Sequence, residues 1–223
     1  MRDCRDGRTL ASIYLDAKRA VIDAGWAWEI DWQASIKFDR VTEPVFLREA
    51  AWVILCAGMK ETVVRSRFGQ VSDAFLGWCS ARGIVEARRA CRRRALSAFK
   101  NVHKINAILS VADRVAALSF DWIRTQLLEQ GVSYLQRLPF VGPVTSFHLA
   151  KNLGLQVAKP DRHLVRIAGA LELPSVQSMC ETIATEVLDP VSVVDVVLWR
   201  YATLHSDYRE RLTRLRDAVR APV

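Results

Sequence analysis

No apolar run in these 223 residues reaches the roughly 18 that a membrane-spanning helix requires, so a membrane partner is not expected. Cysteine is sparse: Cys4, Cys56, Cys79, Cys91 and Cys180 are scattered, odd in number and without a C-x-x-C pair. That pattern argues against a secreted disulfide scaffold and leaves neither structural zinc nor an iron–sulfur cluster enough ligands. With no signal peptide recognisable, the thiols are expected to be reduced and the compartment cytoplasmic. Strand-like alternation is nearly absent. No internal repeat, low-complexity tract or Gly/Ser linker separates independent domains, and the length does not require oligomerisation, so the expected state is a monomer.

What is present is a folded composition, 51% hydrophobic and 25% charged, with a basic balance of 32 Lys and Arg against 24 Asp and Glu. The net charge of +8 and the pI near 9.6 make an anionic polymer or surface a reasonable partner. Apolar residues recur at helical spacing almost throughout, so the expected fold class is all-α. Leu10, Ile13, Tyr14, Ala17 and Val21 form a stripe on a helix at 9–24 that Gly25 ends. After a less periodic stretch containing Trp26, Trp28 and Trp32, Pro44 opens a buried helix at 45–57 that Gly58 stops. Further helices are expected at 60–68, 71–81, 84–99, 102–118, 120–130, 143–153, 162–171, 175–188, 193–205 and 207–219.

The segment from Leu135 to Ala168, LQRLPFVGPVTSFHLAKNLGLQVAKPDRHLVRIA, is the most informative. Leu138-Pro139-Phe140-Val141-Gly142 reads as a tight interhelical turn. Its proline stops one helix, its glycine permits close backbone approach, and Pro143 suits the first turn of the next. Amides at such a turn, beside the positive end of a helix dipole, form an anion site that could hold a phosphate. Asp161 then stands after a proline-containing loop, where it suits an N-cap of the helix beginning at Arg162.

The hairpin, the Thr145-Ser146 pair in its second helix, and Asp161-Arg162-His163 one helix and a loop later match in order and spacing. Together they resemble the helix-hairpin-helix DNA glycosylases related to endonuclease III. The resemblance is clearest across about 135–170 and diffuse elsewhere. It implies a two-lobed helical fold with an interlobe cleft for a flipped base. One lobe would be a helical barrel at 44–160, and the other would combine 1–43 with 161–223. It implies double-stranded DNA with a modified base as partner, a nucleoid location in a bacterium, and hydrolysis of a glycosidic bond. Asp161 would be the catalytic carboxylate, stabilising positive charge on the sugar and helping to deprotonate water. Phe140, Val141, Gly142, Val144, Thr145 and Lys151 would contact DNA. Base extrusion needs a filler for the gap, and Met59, Lys60 and His148 are candidates for a wedge or base pocket.

Bifunctional members of that family carry a lysine where this chain has Val144, so the resemblance implies a monofunctional enzyme that leaves an abasic site. Lys151 and Lys159 are alternative lyase nucleophiles. The four closely spaced C-terminal cysteines that hold an iron–sulfur cluster in some members are lacking, so no such cofactor is expected; a monovalent cation on hairpin carbonyls is the one candidate ion. Arg88, Arg89, Arg92, Arg93 and Arg94 could meet phosphates, an acidic protein or only solvent. Asp195, three residues after Ser192, is read as part of a helix N-terminal cap. The alternative functions are a non-enzymatic DNA-binding or damage-sensing protein and, third, a helical protein-interaction module whose positive charge addresses an acidic partner.

Overall fold

The computed structural model describes residues 3–220; the fold is all-α, with no strand among the described residues. The chain divides into two compact units, Phe38–Leu153 and a discontinuous one made of Met1–Lys37 with Gly154–Val223. The division thus falls at 38 and 154, where the resemblance implied 44 and 161.

The discontinuous unit opens with α1 (Asp3–Val21), which passes through one π-helical turn, with Gly25 at φ 85°, into α2 (Ala27–Ser35). A helix therefore stands where an irregular stretch was expected. Its buried positions include Glu29 and Gln33, so it carries no apolar stripe. Glu29 is instead gripped by Arg200, whose Nε and Nη2 each donate to a carboxylate oxygen at 2.7 Å. The same guanidinium stacks over the Trp26 ring at 3.5 Å from its centroid. Such a bidentate pair keeps two buried charges hydrogen-bonded, the condition under which burial is tolerated.

The continuous unit begins with α3 (Glu43–Cys56), where Pro44 lies in the first turn and Phe46, Ala50, Val53, Ile54 and Leu55 are buried. Its last carbonyls are covered by a lysine: Lys104 Nζ donates to Leu55 O at 2.5 Å and to Ala57 O at 2.6 Å. A cation at a helix C-terminus satisfies orphan acceptors and the dipole together, although burial lowers the Lys104 pKa. Next come α4 (Glu61–Ala74), α5 (Ala81–Glu86), α6 (Arg88–Ala98), α7 (Val102–Leu118), α8 (Phe120–Gln130), α9 (Val132–Leu135) and α10 (Thr145–Asn152). The break expected between the helices at 60–68 and 71–81 does not occur, because α4 runs through Gly69 on an exposed face. The break comes instead at Leu76, Gly77 and Trp78, all with positive φ. The helix expected at 84–99 is split at Ala87; Ser80 accepts the Gly83 amide at 3.0 Å and starts α5 earlier.

The chain returns to the discontinuous unit as α11 (Arg162–Ala170), α12 (Val176–Val187), α13 (Val191–Leu204) and α14 (Tyr208–Arg220). Leu10, Ile13, Tyr14, Ala17 and Val21 of α1 join Met179, Cys180 and Ile183 of α12 and Val193, Val194 and Val197 of α13 in one core. At about 25 cal/mol per Å² of apolar area, burial of such side chains contributes roughly 1.5–3 kcal/mol each, so this stripe holds the N-terminal helix to the C-terminal ones.

Candidate functional site

In the hairpin, α9 ends in successive turns until the Val141 amide donates to Leu138 O at 3.1 Å and closes the loop. The left-handed residue is Phe140, at φ 63°, not the glycine. Gly142 has an ordinary φ, and a Cβ there would meet nothing closer than Thr145 Oγ1 at 3.9 Å, so the fold itself does not demand glycine. Its amide is spent internally, donating to Thr145 Oγ1 at 2.7 Å. The second helix begins at Thr145 with Val144 as its cap, so Pro143 precedes the first turn. The Val144 and Thr145 amides, at the helix N-terminus, have no backbone acceptor among the described residues. These two, rather than the glycine amide, are the donors offered to an anion.

Exposure sorts the expected DNA contacts. Phe140 is 46% exposed and Val144 is exposed, while Gly142 and Thr145 are partly so. Val141 is 3% exposed with its amide bonded within the turn, so it packs the hairpin instead of touching a ligand. Lys151 is 7% exposed, drawn inward on the buried side of α10, which removes it as a surface phosphate contact. The end of α10 is tied to α3: Asn152 Nδ2 donates to Glu49 Oε2 at 2.8 Å, and Arg48 Nη1 to Glu49 Oε1 at 2.5 Å. Burial raises the Glu49 pKa against the opposing effects of Arg48 and Asn152.

Gly58, at φ 69°, turns the chain after α3 into Met59 and Lys60, both exposed, with Lys60 capping α4. His148 is half-buried on α10. The arginine run is partly committed within the fold: Arg88 Nη1 pairs with both Asp113 oxygens at 2.6 and 2.7 Å, and Arg92 Nε donates to Asn106 at 3.0 Å. Arg89, Arg93 and Arg94 remain at least partly exposed.

In the other unit, Asp161 caps α11. Its Oδ1 accepts the amides of His163 at 2.9 Å and Leu164 at 3.1 Å, while Oδ2 faces Lys159 Nζ at 3.8 Å. The side chain is 13% exposed, so the carboxylate is shielded without being sealed. The capping bonds are worth about 1 kcal/mol and fix the orientation of Oδ2. The loop leading to Asp161 is pinned from outside: Asp195 Oδ2 accepts the Lys159 amide at 2.6 Å, and Gln177 Oε1 accepts the Ala158 amide at 2.8 Å.

Asp195 therefore is not a cap. The helix begins at Val191 with Pro190 before it, and Asp195 lies inside α13, 1% exposed. A carboxylate inside a buried helix face was itself a signal, but its partner is an amide 36 residues away, which spacing does not reveal. Next to Asp161, burial lowers the His163 pKa despite the opposing effect of the aspartate. Its ring lies 5.8 Å from that of Tyr208.

Among the described residues no group of three or more His, Cys, Asp or Glu is arranged to hold a metal ion, and no helix is long and apolar enough to cross a membrane. Of the hairpin carbonyls that a monovalent cation would use, three accept hydrogen bonds within the turn, while Pro139 O and Val141 O accept none from the backbone among the described residues. Leu138 O accepts Val141 N, Gly142 O accepts Ser146 N at 2.9 Å, and Pro143 O accepts Ser146 Oγ at 3.1 Å. Comparison with protein families, curated proteins and solved structures finds no match to this chain.

Proposed function

We propose that the chain is a monofunctional DNA glycosylase that hydrolyses the N-glycosidic bond of a modified, flipped base and leaves an abasic site. The observation that carries this reading is the state of Asp161: one oxygen is fixed by two backbone amides, and the other faces Lys159 in a loop pinned by Asp195 and Gln177, with the side chain still partly open to solvent. A carboxylate so oriented can lie beneath a deoxyribose whose C1′ gains positive charge as the base leaves. Water then forms the new C1′–O bond as C1′–N breaks; its proton passes to solvent through the carboxylate, and the base departs with a proton.

The hairpin supplies the complementary function of binding. Two amides at a helix N-terminus and an exposed aromatic at the turn suit a phosphate and the adjoining groove surface. Excision also requires extrusion and a filler, and the exposed Met59 and Lys60 fit that role. The second reading, a glycosylase with lyase activity, is favoured by Lys159, whose ammonium stands 3.8 Å from Asp161 Oδ2. An ammonium paired with a carboxylate attacks a sugar only after losing its proton, so hydrolysis is the preferred outcome.

The test is incubation with duplexes bearing alkylated, oxidised and deaminated bases, followed by mass spectrometry of released bases and alkaline cleavage of abasic sites. At least one substrate is expected to react. Asp161→Asn, which keeps the cap, is expected to lower release by about 10³-fold while leaving stability within about 0.5 kcal/mol. Duplex binding without release from any substrate would point to a non-enzymatic binding protein. A borohydride-trapped complex lost in Lys159→Ala would establish the lyase.

A further inference from the structure

A groove of about 660 Å³ lies between α11 and α14, lined by Arg166 and Gly169 from the first and by Arg209, Glu210, Thr213 and Arg214 from the second. The two helices run in the same direction. His163 meets Tyr208 near their starts, and Arg216 Nη1 donates to Ala170 O at 2.7 Å where α11 ends. This clasp fixes the groove walls.

The arginines around the groove fall into two groups. Arg211 pairs with Asp207, and Arg216 with Glu172 and Asp217. Arg166, Arg209 and Arg214, which face the groove, form no ion pair among the described residues; Arg214 Nε reaches only the Glu210 carbonyl, at 3.3 Å. Three guanidinium groups against the one Glu210 carboxylate leave the groove positive, and Gly169 leaves its wall open, with nothing within 4 Å of where a Cβ would stand. Guanidinium groups present planar, paired donors that match phosphate oxygens.

We propose that this groove binds the phosphate backbone of the DNA strand beside the nucleotide held at Asp161, as a second anchoring surface separate from the hairpin. Its function as part of an excision site rests on the glycosylase reading. The placement follows from α11 itself, which begins at the Asp161 cap and carries Arg166 five residues on, roughly 7.5 Å along the axis and so within reach of a neighbouring phosphate.

Fluorescence anisotropy with an undamaged duplex of about two helical turns, across a salt series, tests it. Combined Arg166→Ala, Arg209→Ala and Arg214→Ala is expected to weaken binding at least tenfold and to flatten the salt slope by about one for each phosphate no longer neutralised. Gly169→Glu, which adds a carboxylate where there is room for a side chain, is expected to weaken binding roughly tenfold, and Glu210→Gln to tighten it about twofold. The last two variants leave every guanidinium in place, so they report even if the triple variant misfolds.

Unchanged affinity and salt slope in these variants would overturn the groove proposal, and base release lost in Asp161→Asn would still leave the enzyme standing. Groove-dependent duplex binding with no base released from any substrate would have the reverse meaning, keeping the groove and removing the excision. Groove-dependent binding to phosphatidylglycerol vesicles but not to duplex would overturn the nucleic-acid assignment.

Discussion

The hairpin and the Asp161 loop are both short connections before a helix, yet they are held in opposite ways. The hairpin is closed by its own neighbours: Val141 on Leu138, Gly142 on Thr145, Ser146 on Gly142. The Asp161 loop is held from a distance by Asp195 and Gln177, which belong to helices made later in the chain. A locally closed turn can keep its shape through modest changes elsewhere, whereas a remotely pinned loop depends on the packing of its unit. Under the proposed glycosylase function the difference suits a division of labour: gripping a strand would tolerate small adjustment, while a carboxylate under a reacting sugar would have to be placed to a fraction of an ångström.

The most severe way to test that contrast is Asp195→Ala. It leaves the Lys159 amide without its acceptor, and base release at saturating substrate is expected to fall about 100-fold with duplex affinity unchanged. Hydrogen exchange should show faster exchange at Lys159. An equal loss of duplex affinity would erase the distinction between the two loops. Thr145→Val acts on the other side, freeing the Gly142 amide and loosening the turn. Duplex affinity by anisotropy is expected to drop up to tenfold, with release at saturation unchanged, since losing a hydrogen bond in a partly exposed turn costs about 0.5–1.5 kcal/mol.

Phe140→Gly has a smaller effect, of two signs. Relieving a left-handed backbone at a bulky residue is expected to stabilise the protein by about 1 kcal/mol in urea unfolding, while duplex affinity weakens several-fold. A loss of stability would show that the ring packs rather than strains. The mildest probe is pH. Burial depresses the His163 pKa, so the unfolded chain takes up this proton first. Stability from neutral His163 is complete above the unfolded value of about 6.5 and is lost as pH falls from there through the lowered folded value. His163→Gln is expected to reduce the fall in the urea midpoint between about pH 7.5 and 5.5.

Much of the helical layout was legible because its signals are local. Asn101 accepts the Lys104 amide and Ser119 the Trp122 amide, at the starts expected for α7 and α8. The α2 helix was not legible, because two of its three buried positions are polar and Glu29 finds its partner 171 residues away. The same physics divides the candidate site. Asp161 as a cap follows from its neighbours, but the burial of Val141 and Lys151 left no trace in the spacing. Asp195 was misread because Ser192 three residues before it imitates a capping pattern that Pro190 and the earlier start of α13 replace.

The discontinuous unit has a consequence during synthesis. The apolar stripe of α1 is made first, whereas its partners on α12 begin at Val176, about 155 residues after Val21. At roughly 5–20 residues per second the nascent chain carries that uncovered stripe for about 10–30 s. Late in that interval the continuous unit is completed at Leu153, so it can fold before the helices that pin the Asp161 loop exist, while the apolar face of the first helix still awaits its cover.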